Sequence, residues 1–222
     1  QPSMRDPEGF FAIMRVPVMV IAYHSDSFSE KDAPTGFTDL NSPRFKNKVS
    51  LGSPLESGTT FTAVALLSKK LGWDFFSKLR ENGAMAAGGN SAVLSRIERK
   101  ERPVGIALLE NVITTARKNP KIKVVYPKEG PILIPSPAAI VSTTSQPELA
   151  KQVYDFLFGE EAQASVVLGD MYPILSGVEG PKGAKPWKDV QAIAMDWSPQ
   201  LLHELFLDRD PIKKKFTQLL LE

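Results

Sequence analysis

Two short segments carry the residue types that bind anions. Ser57-Gly58-Thr59-Thr60 stands directly before one helical pattern, and Gly89-Asn90-Ser91 stands before another. The first turn of a helix leaves backbone N–H groups without intrahelical partners, and the macrodipole places partial positive charge there. Ser and Thr hydroxyls add donors, so each segment is a ready site for an anion. The plainer alternative is that Ser57, Thr59 and Ser91 only cap their helices. Two copies at strand-to-helix turns favour a ligand, because ligands of open α/β sheets lie beyond the carboxyl ends of strands.

Three further positions offer polar contacts. Arg15 presents a guanidinium fork for a bidentate anion contact. Glu110-Asn111 follows a strand pattern over 104–109, and Tyr172 offers a ring or a phenol just before Pro173. The first two have ordinary alternatives, a surface arginine and a solvated helix start. Lys213-Lys214-Lys215 reads as a solvated helix face.

Catalytic chemistry finds little support. The chain has no cysteine, which removes thiolate catalysis, disulfides and cysteine metal sites. His24 and His203 lie far apart with no orienting acid nearby. No Gly-x-Ser-x-Gly elbow, His-x-x-x-His pair, carboxylate-rich metal loop or Walker loop is present. No catalytic residue, metal site or cofactor is expected.

The elements that must position the two anion segments follow from periodicity. Residues 10–23 are apolar on both faces and broken by Pro17, a buried strand with a crossing point. A strand near 48–52 leads to a helix through Phe61, Val64, Leu67 and Leu71. Helices near 73–80 and from Val93, and strands over 104–109 and 121–126, extend the alternation. Residues 16–130 therefore predict an α/β unit with a largely parallel sheet. A second proline-studded apolar stretch covers 130–141. Amphipathic helices follow over 147–158 and 160–168, then a glycine- and proline-rich loop and helices over 199–207 and 211–221.

Composition sets outer limits. Of 222 residues, 27 are basic and 25 acidic, a net charge of +2, too weak a field for a protein whose main partner is nucleic acid. A hydrophobic fraction of 42% is that of an ordinary globular chain. The longest apolar run, Val16 to Ala22, is far short of the about 20 residues that span a bilayer. No basic region followed by an apolar stretch opens the chain, so no signal peptide is legible in it.

An ordered set of motifs resembles the type II periplasmic solute-binding proteins of ABC importers, in the group of ferric-ion-binding and 2-aminoethylphosphonate-binding proteins. The set is Arg15-Val16-Pro17-Val18-Met19-Val20-Ile21-Ala22-Tyr23, Ser57-Gly58-Thr59-Thr60, Pro103-Val104-Gly105-Ile106, Ile134-Pro135-Ser136-Pro137-Ala138-Ala139-Ile140, 147–158 and Tyr172-Pro173. The resemblance implies an α/β fold of two lobes joined by two crossing strands. Residues 1–16 would lead into the first crossing, 17–132 would form the second lobe, and 133–222 would be the returning C-terminal part of the first. It also implies that relatives carry an N-terminal third that is absent here, leaving the first lobe incomplete.

Functionally, the resemblance implies an extracytoplasmic receptor, periplasmic or cell-surface, and not an enzyme. It would close on a small solute and deliver it to a membrane permease, acting as a monomer. The candidate ligand residues are Arg15, Ser57, Gly58, Thr59, Thr60, Asn90, Ser91, Glu110, Asn111, Ser136 and Tyr172. Ferric-binding relatives place two adjacent tyrosines where Glu110-Asn111 stands, so a phosphonate or phosphate ester is the first expectation. Ferric iron is the alternative. A two-lobed effector or transferase domain is a second, though no attached DNA-binding domain or catalytic constellation is visible.

Overall fold

The computed structural model describes residue 6, residues 8–196 and residues 198–222. Pro17 separates β1 (Ala12–Val16) from β2 (Val18–His24). Every residue of β2 is buried, as expected of a strand covered on both faces. There follow β3 (Val49–Leu51), α1 (Gly58–Leu71), α2 (Trp73–Glu81), β4 (Met85–Ala86), α3 (Asn90–Glu98), β5 (Val104–Leu108), α4 (Leu109–Lys118), β6 (Ile122–Val125) and β7 (Ile132–Leu133).

These strands form one sheet in the order β4-β3-β5-β2-β6, with β7 also paired to β2. β3 runs parallel to β4 and β5, whereas β2 runs antiparallel to β5 and β6. The sheet is mixed, where the alternation of elements predicts a largely parallel one. Apolar periodicity reports the order of elements but not their direction. β2 enters from Pro17 at the end where β5 finishes, with Met19 opposite Leu108. Gly105 sits where an added Cβ would lie 2.5 Å from the Ser50 carbonyl and 2.8 Å from the Val93 side chain. Its lack of a side chain lets α3 close on the sheet through buried Val93, Leu94 and Ile97.

The chain continues through β8 (Ser136–Ala138), α5 (Pro147–Leu157), α6 (Glu160–Leu168), β9 (Tyr172–Pro173) and α7 (Trp187–Ile193). Here β1 is the middle strand of an antiparallel sheet of order β8-β1-β9. Gln163 of α6 is fully buried and staples the layer together. Its Nε2 donates to the Met14 and Leu157 carbonyls, each at 3.0 Å, and its Oε1 accepts from the Ile174 amide at 2.8 Å. Helix α7 falls in what reads from sequence as loop.

Helices α8 (Pro199–Leu207) and α9 (Arg209–Leu220) end the fold. Two compact units result. One holds the described residues up to Pro17 with Leu133–Ala192, the other Val18–Ile132 with Ile193–Glu222. The expected grouping of 133–222 in a single lobe is thus corrected, because its last part packs on α1 and α2. Ile212, Phe216 and Leu220 make the buried stripe of α9. The Phe216 ring meets Phe76 edge-on at 5.8 Å, and Arg80 Nη1 donates to the Leu220 carbonyl at 3.3 Å. The sequence shows that stripe, but nothing in it says which surface the stripe covers.

Candidate anion-binding site

Parallel pairing makes β3, β4 and β5 finish at one edge of their sheet, and each leads into a helix: α1, α3 and α4 respectively. Ser57, Gly58, Thr59, Thr60, Asn90, Ser91, Glu110 and Asn111 are therefore gathered at that edge. Ligands of α/β sheets lie at such edges.

The loops before α1 and α3 are tied together in three places. The Ser53 amide donates to the Gly88 carbonyl at 2.8 Å, and the Gly88 amide to Glu56 Oε1 at 3.0 Å. Asn90 Nδ2 donates to Thr59 Oγ1 at 3.0 Å, and Thr59 Oγ1 lies 3.0 Å from Ser57 Oγ. Gly52 permits this approach, since an added Cβ would stand 2.6 Å from Thr60 Oγ1 and 3.2 Å from the Gly88 carbonyl.

Each helix start leaves amides ahead of its intrahelical ladder. In α1 the first helical bond runs from the Phe61 amide to the Ser57 carbonyl, leaving those of Gly58 and Thr59 ahead of the ladder. In α3 the Ala92 and Val93 amides reach the Gly89 carbonyl, leaving those of Asn90 and Ser91. An added Cβ on exposed Gly58 would meet nothing within 4 Å, so no packing contact demands glycine there. Thr60 Oγ1 and Asn90 Oδ1 are buried without a hydrogen-bond partner.

Capping roles differ residue by residue. Ser57 caps α1, with Oγ accepting from the Thr60 amide at 3.2 Å. Ser91 caps nothing: α3 has Gly89 at its cap, and Ser91 is an exposed first-turn residue. Two charged neighbours escaped the reading of the sequence. Arg96 Nη1 donates to the Ala87 carbonyl at 2.9 Å and Ser50 Oγ at 3.1 Å, which holds a positive charge against the loop before α3. Glu56 sets a carboxylate beside it. Neither stands in a recognisable motif, because each partner lies across the sheet edge.

Glu110 and Asn111 fall in the first turn of α4, which starts without a loop directly after β5. An acid there complements the helix dipole.

The other three candidates belong to the first unit. Arg15 on β1 stands opposite Ser136 of β8 and Pro173 of β9, with Val16 opposite Tyr172. Arg15 Nη1 points at Met171 Sδ, and its Nε is buried without a partner. Tyr172 is 1% exposed, its ring packs on Trp187 at 5.1 Å, and its hydroxyl donates to the Lys185 carbonyl at 2.6 Å. That phenol is engaged in the core, which corrects its expected role as a stacking or phenolic contact. His24 is buried, with Nδ1 accepting from the Asp26 amide at 3.2 Å, and His203 is exposed on α8.

Among the described residues no group of three or more His, Cys, Asp or Glu could hold a metal ion, and no helix is long and apolar enough to cross a membrane. The sequence pattern of the bacterial extracellular solute-binding proteins matches residues 1–197. The chain belongs to this family.

Relatives agree with that assignment. A periplasmic protein of Salmonella typhimurium, provisionally named as 2-aminoethylphosphonate-binding, is 26% identical over 147 residues. That match covers 61% of this chain and 43% of the relative, so the chain spans less than half the length of the curated relatives it matches. Iron-bound HitA of Pseudomonas aeruginosa superposes with a TM-score of 0.83 at 19% identity, over 97% of this chain and 72% of HitA. AfuA of Actinobacillus pleuropneumoniae, solved with exogenous fructose-6-phosphate, gives 0.81 at 18%, over 98% of this chain and 73% of AfuA. These superpositions establish the type II periplasmic-binding fold.

Proposed function

We propose that this chain is part of an extracytoplasmic receptor that captures a small anionic solute, of phosphonate or phosphate-ester type, and delivers it to the permease of an ABC importer. The receptor acts as a monomer, closing its lobes on the solute, and catalyses no reaction. One observation carries the solute class: the Asn90–Thr59 hydrogen bond joins the starts of α1 and α3 at one sheet edge. Four amides, the Thr59 and Ser91 hydroxyls and two helix dipoles then serve one anion. Arg96 adds positive charge beside them. The name of the Salmonella relative supports the same class. Glu110, Asn111, Arg15 and Ser136 remain in this reading as contacts to the organic part of the solute.

Thermal unfolding against 2-aminoethylphosphonate, sugar phosphates and ferric citrate tests the proposal. A ligand at a hundred times its Kd adds about 2.7 kcal/mol. Stabilisation by phosphonates or phosphate esters is the expected result. Stabilisation by ferric citrate alone, with a visible charge-transfer colour, would overturn it in favour of iron. Hydrolysis of a phosphate ester by the protein would overturn the non-enzymatic reading.

A further inference from the structure

Asn82-Gly83 is the one Asn-Gly pair in the sequence, and the fold accounts for both residues. Asn82 ends α2 with φ −79° and ψ 4°, and Gly83 follows at φ +72°. Helices commonly stop on a left-handed residue of this kind, which glycine adopts without steric penalty. An added Cβ at Gly83 would also run into Asn47 Oδ1. Asn82 is 8% exposed, and its side chain ties α2 to the loop ahead of β3. Nδ2 uses both hydrogens there, donating to the Leu40 carbonyl at 3.0 Å and to the Ser42 carbonyl at 2.9 Å. That loop seats Leu40 and Phe45, both fully buried.

The same pair of residues can react with itself. Glycine has no Cβ to shield its nitrogen, so that nitrogen can attack the preceding side-chain carboxamide. The bond from Gly83 N to Asn82 Cγ forms, the Cγ–Nδ2 bond breaks, and the Gly83 amide proton leaves with Nδ2 as ammonia. Water then opens the five-membered imide at either carbonyl, giving aspartate or isoaspartate at position 82. The folded chain holds each participant away from this reaction. The Gly83 amide donates to the Arg80 carbonyl at 2.8 Å, and ring closure has to turn ψ of Asn82 away from 4°. The flanking carbonyls are held as well: that of Asn82 accepts from the Asn47 amide at 2.8 Å, and that of Gly83 from Arg102 Nη1 at 3.1 Å.

We infer that Asn82-Gly83 is a self-modification site that the fold keeps silent, reactive only when α2 separates from the 38–45 loop, and that the modification is one-way. Aspartate at 82 sets a carboxylate oxygen where Nδ2 stood, facing the Leu40 and Ser42 carbonyls. Two hydrogen bonds become two repulsions in a buried place. Isoaspartate lengthens the main chain at the helix stop. Either product bars the closed arrangement, so each opening of this unit removes a share of the copies from the folded pool. The inference does not depend on the solute proposed above.

Mass mapping of the 222-residue chain tests the site, with fragment ions separating residue 82 from Asn90. One sample is incubated folded at mildly alkaline pH and a second in concentrated urea at the same pH. Residue 82 should deamidate about a hundredfold faster in urea, because the folded rate is the unfolded rate scaled by the open fraction. Equal rates would overturn the inference. The one-way step is read from Asn82→Ala and Asn82→Asp. Alanine removes the two donors, whereas aspartate also adds the charge, so Asn82→Asp should lower the Tm by several degrees more. Equal losses, or refolding of chemically deamidated protein to the parent Tm, would overturn that step. Failure of Asn82→Asp to fold at all would agree with it, and the rate comparison, which needs no variant, still decides the site.

Discussion

Asn90 Nδ2 donates to Thr59 Oγ1 at 3.0 Å, so one side-chain bond fixes the first turn of α3 against that of α1. Preorganisation of this kind raises affinity by removing the cost of ordering two loops around a ligand. Asn90→Ala should cost about 1 kcal/mol of stability and weaken phosphate or phosphonate binding about tenfold, or about 1.4 kcal/mol. Asn90→Asp should weaken it further by placing a negative charge in the cradle. Isothermal titration of the three proteins checks the order. Unchanged affinity in both variants would remove Asn90 from the site.

Gly58 separates packing from binding. An added methyl meets nothing, and alanine is the better helix former. Gly58→Ala should keep or slightly raise the Tm while lowering anion affinity, because the methyl stands beside an amide meant for the ligand. A stable variant with full affinity would show that the anion does not reach the start of α1.

Acid should weaken the fold through Asp39. Burial pushes its carboxyl up, but hydrogen bonds from Lys128 Nζ at 2.7 Å and from the Thr35 hydroxyl and amide outweigh burial and hold its pKa at about 2. The folded value lies below the ordinary 3.8. The stabilisation is therefore present above that ordinary value and is lost as pH falls toward 2, a contribution of about 2 kcal/mol. Glu129 adds in the same direction. Burial raises its carboxyl, and hydrogen bonds from Thr38 and the Phe37 amide lower it by more. Urea midpoints measured from pH 6 to pH 2 should fall less steeply in Asp39→Asn than in the parent. Parallel curves would contradict this account.

The C-terminal helix should behave as core. Phe216 is fully buried against Phe76, and replacing a buried Phe by Ala typically costs about 3–5 kcal/mol. Phe216→Ala should lower the stability of the unit containing α1 and α2, read by hydrogen exchange at β2 and β5. Loss of protection confined to β1 and β8 would place α9 in the other unit.

The legible parts of the fold are those written in local pattern. Val64, Leu67 and Leu71 announce α1, the glycine and hydroxyl residues ahead of it announce an open helix start, and Pro17 marks a crossing. Through-space relations were not legible. Direction is one: the apolar run of β2 is the same whichever way it pairs. Tyr172 is another, since a tyrosine before a proline reads alike on a cleft wall and in a core. The helix of Trp187–Ile193 is too short for its single buried residue, Val190, to define a period. Arg96 carries no motif, and only its bonds to Ser50 and Ala87 bring its charge to the sheet edge.

The contact between Phe76 and Phe216 also sets a timetable for biosynthesis. A ribosome adds about 5–20 residues per second, so the residues separating these two rings take roughly seven to thirty seconds to appear. Through that interval the aromatic surface of α2 has emerged and its natural cover has not. The packing of this unit therefore waits on a segment synthesised long after the strands and helices it covers, and α9 closes the aromatic face of α2 last among the elements described.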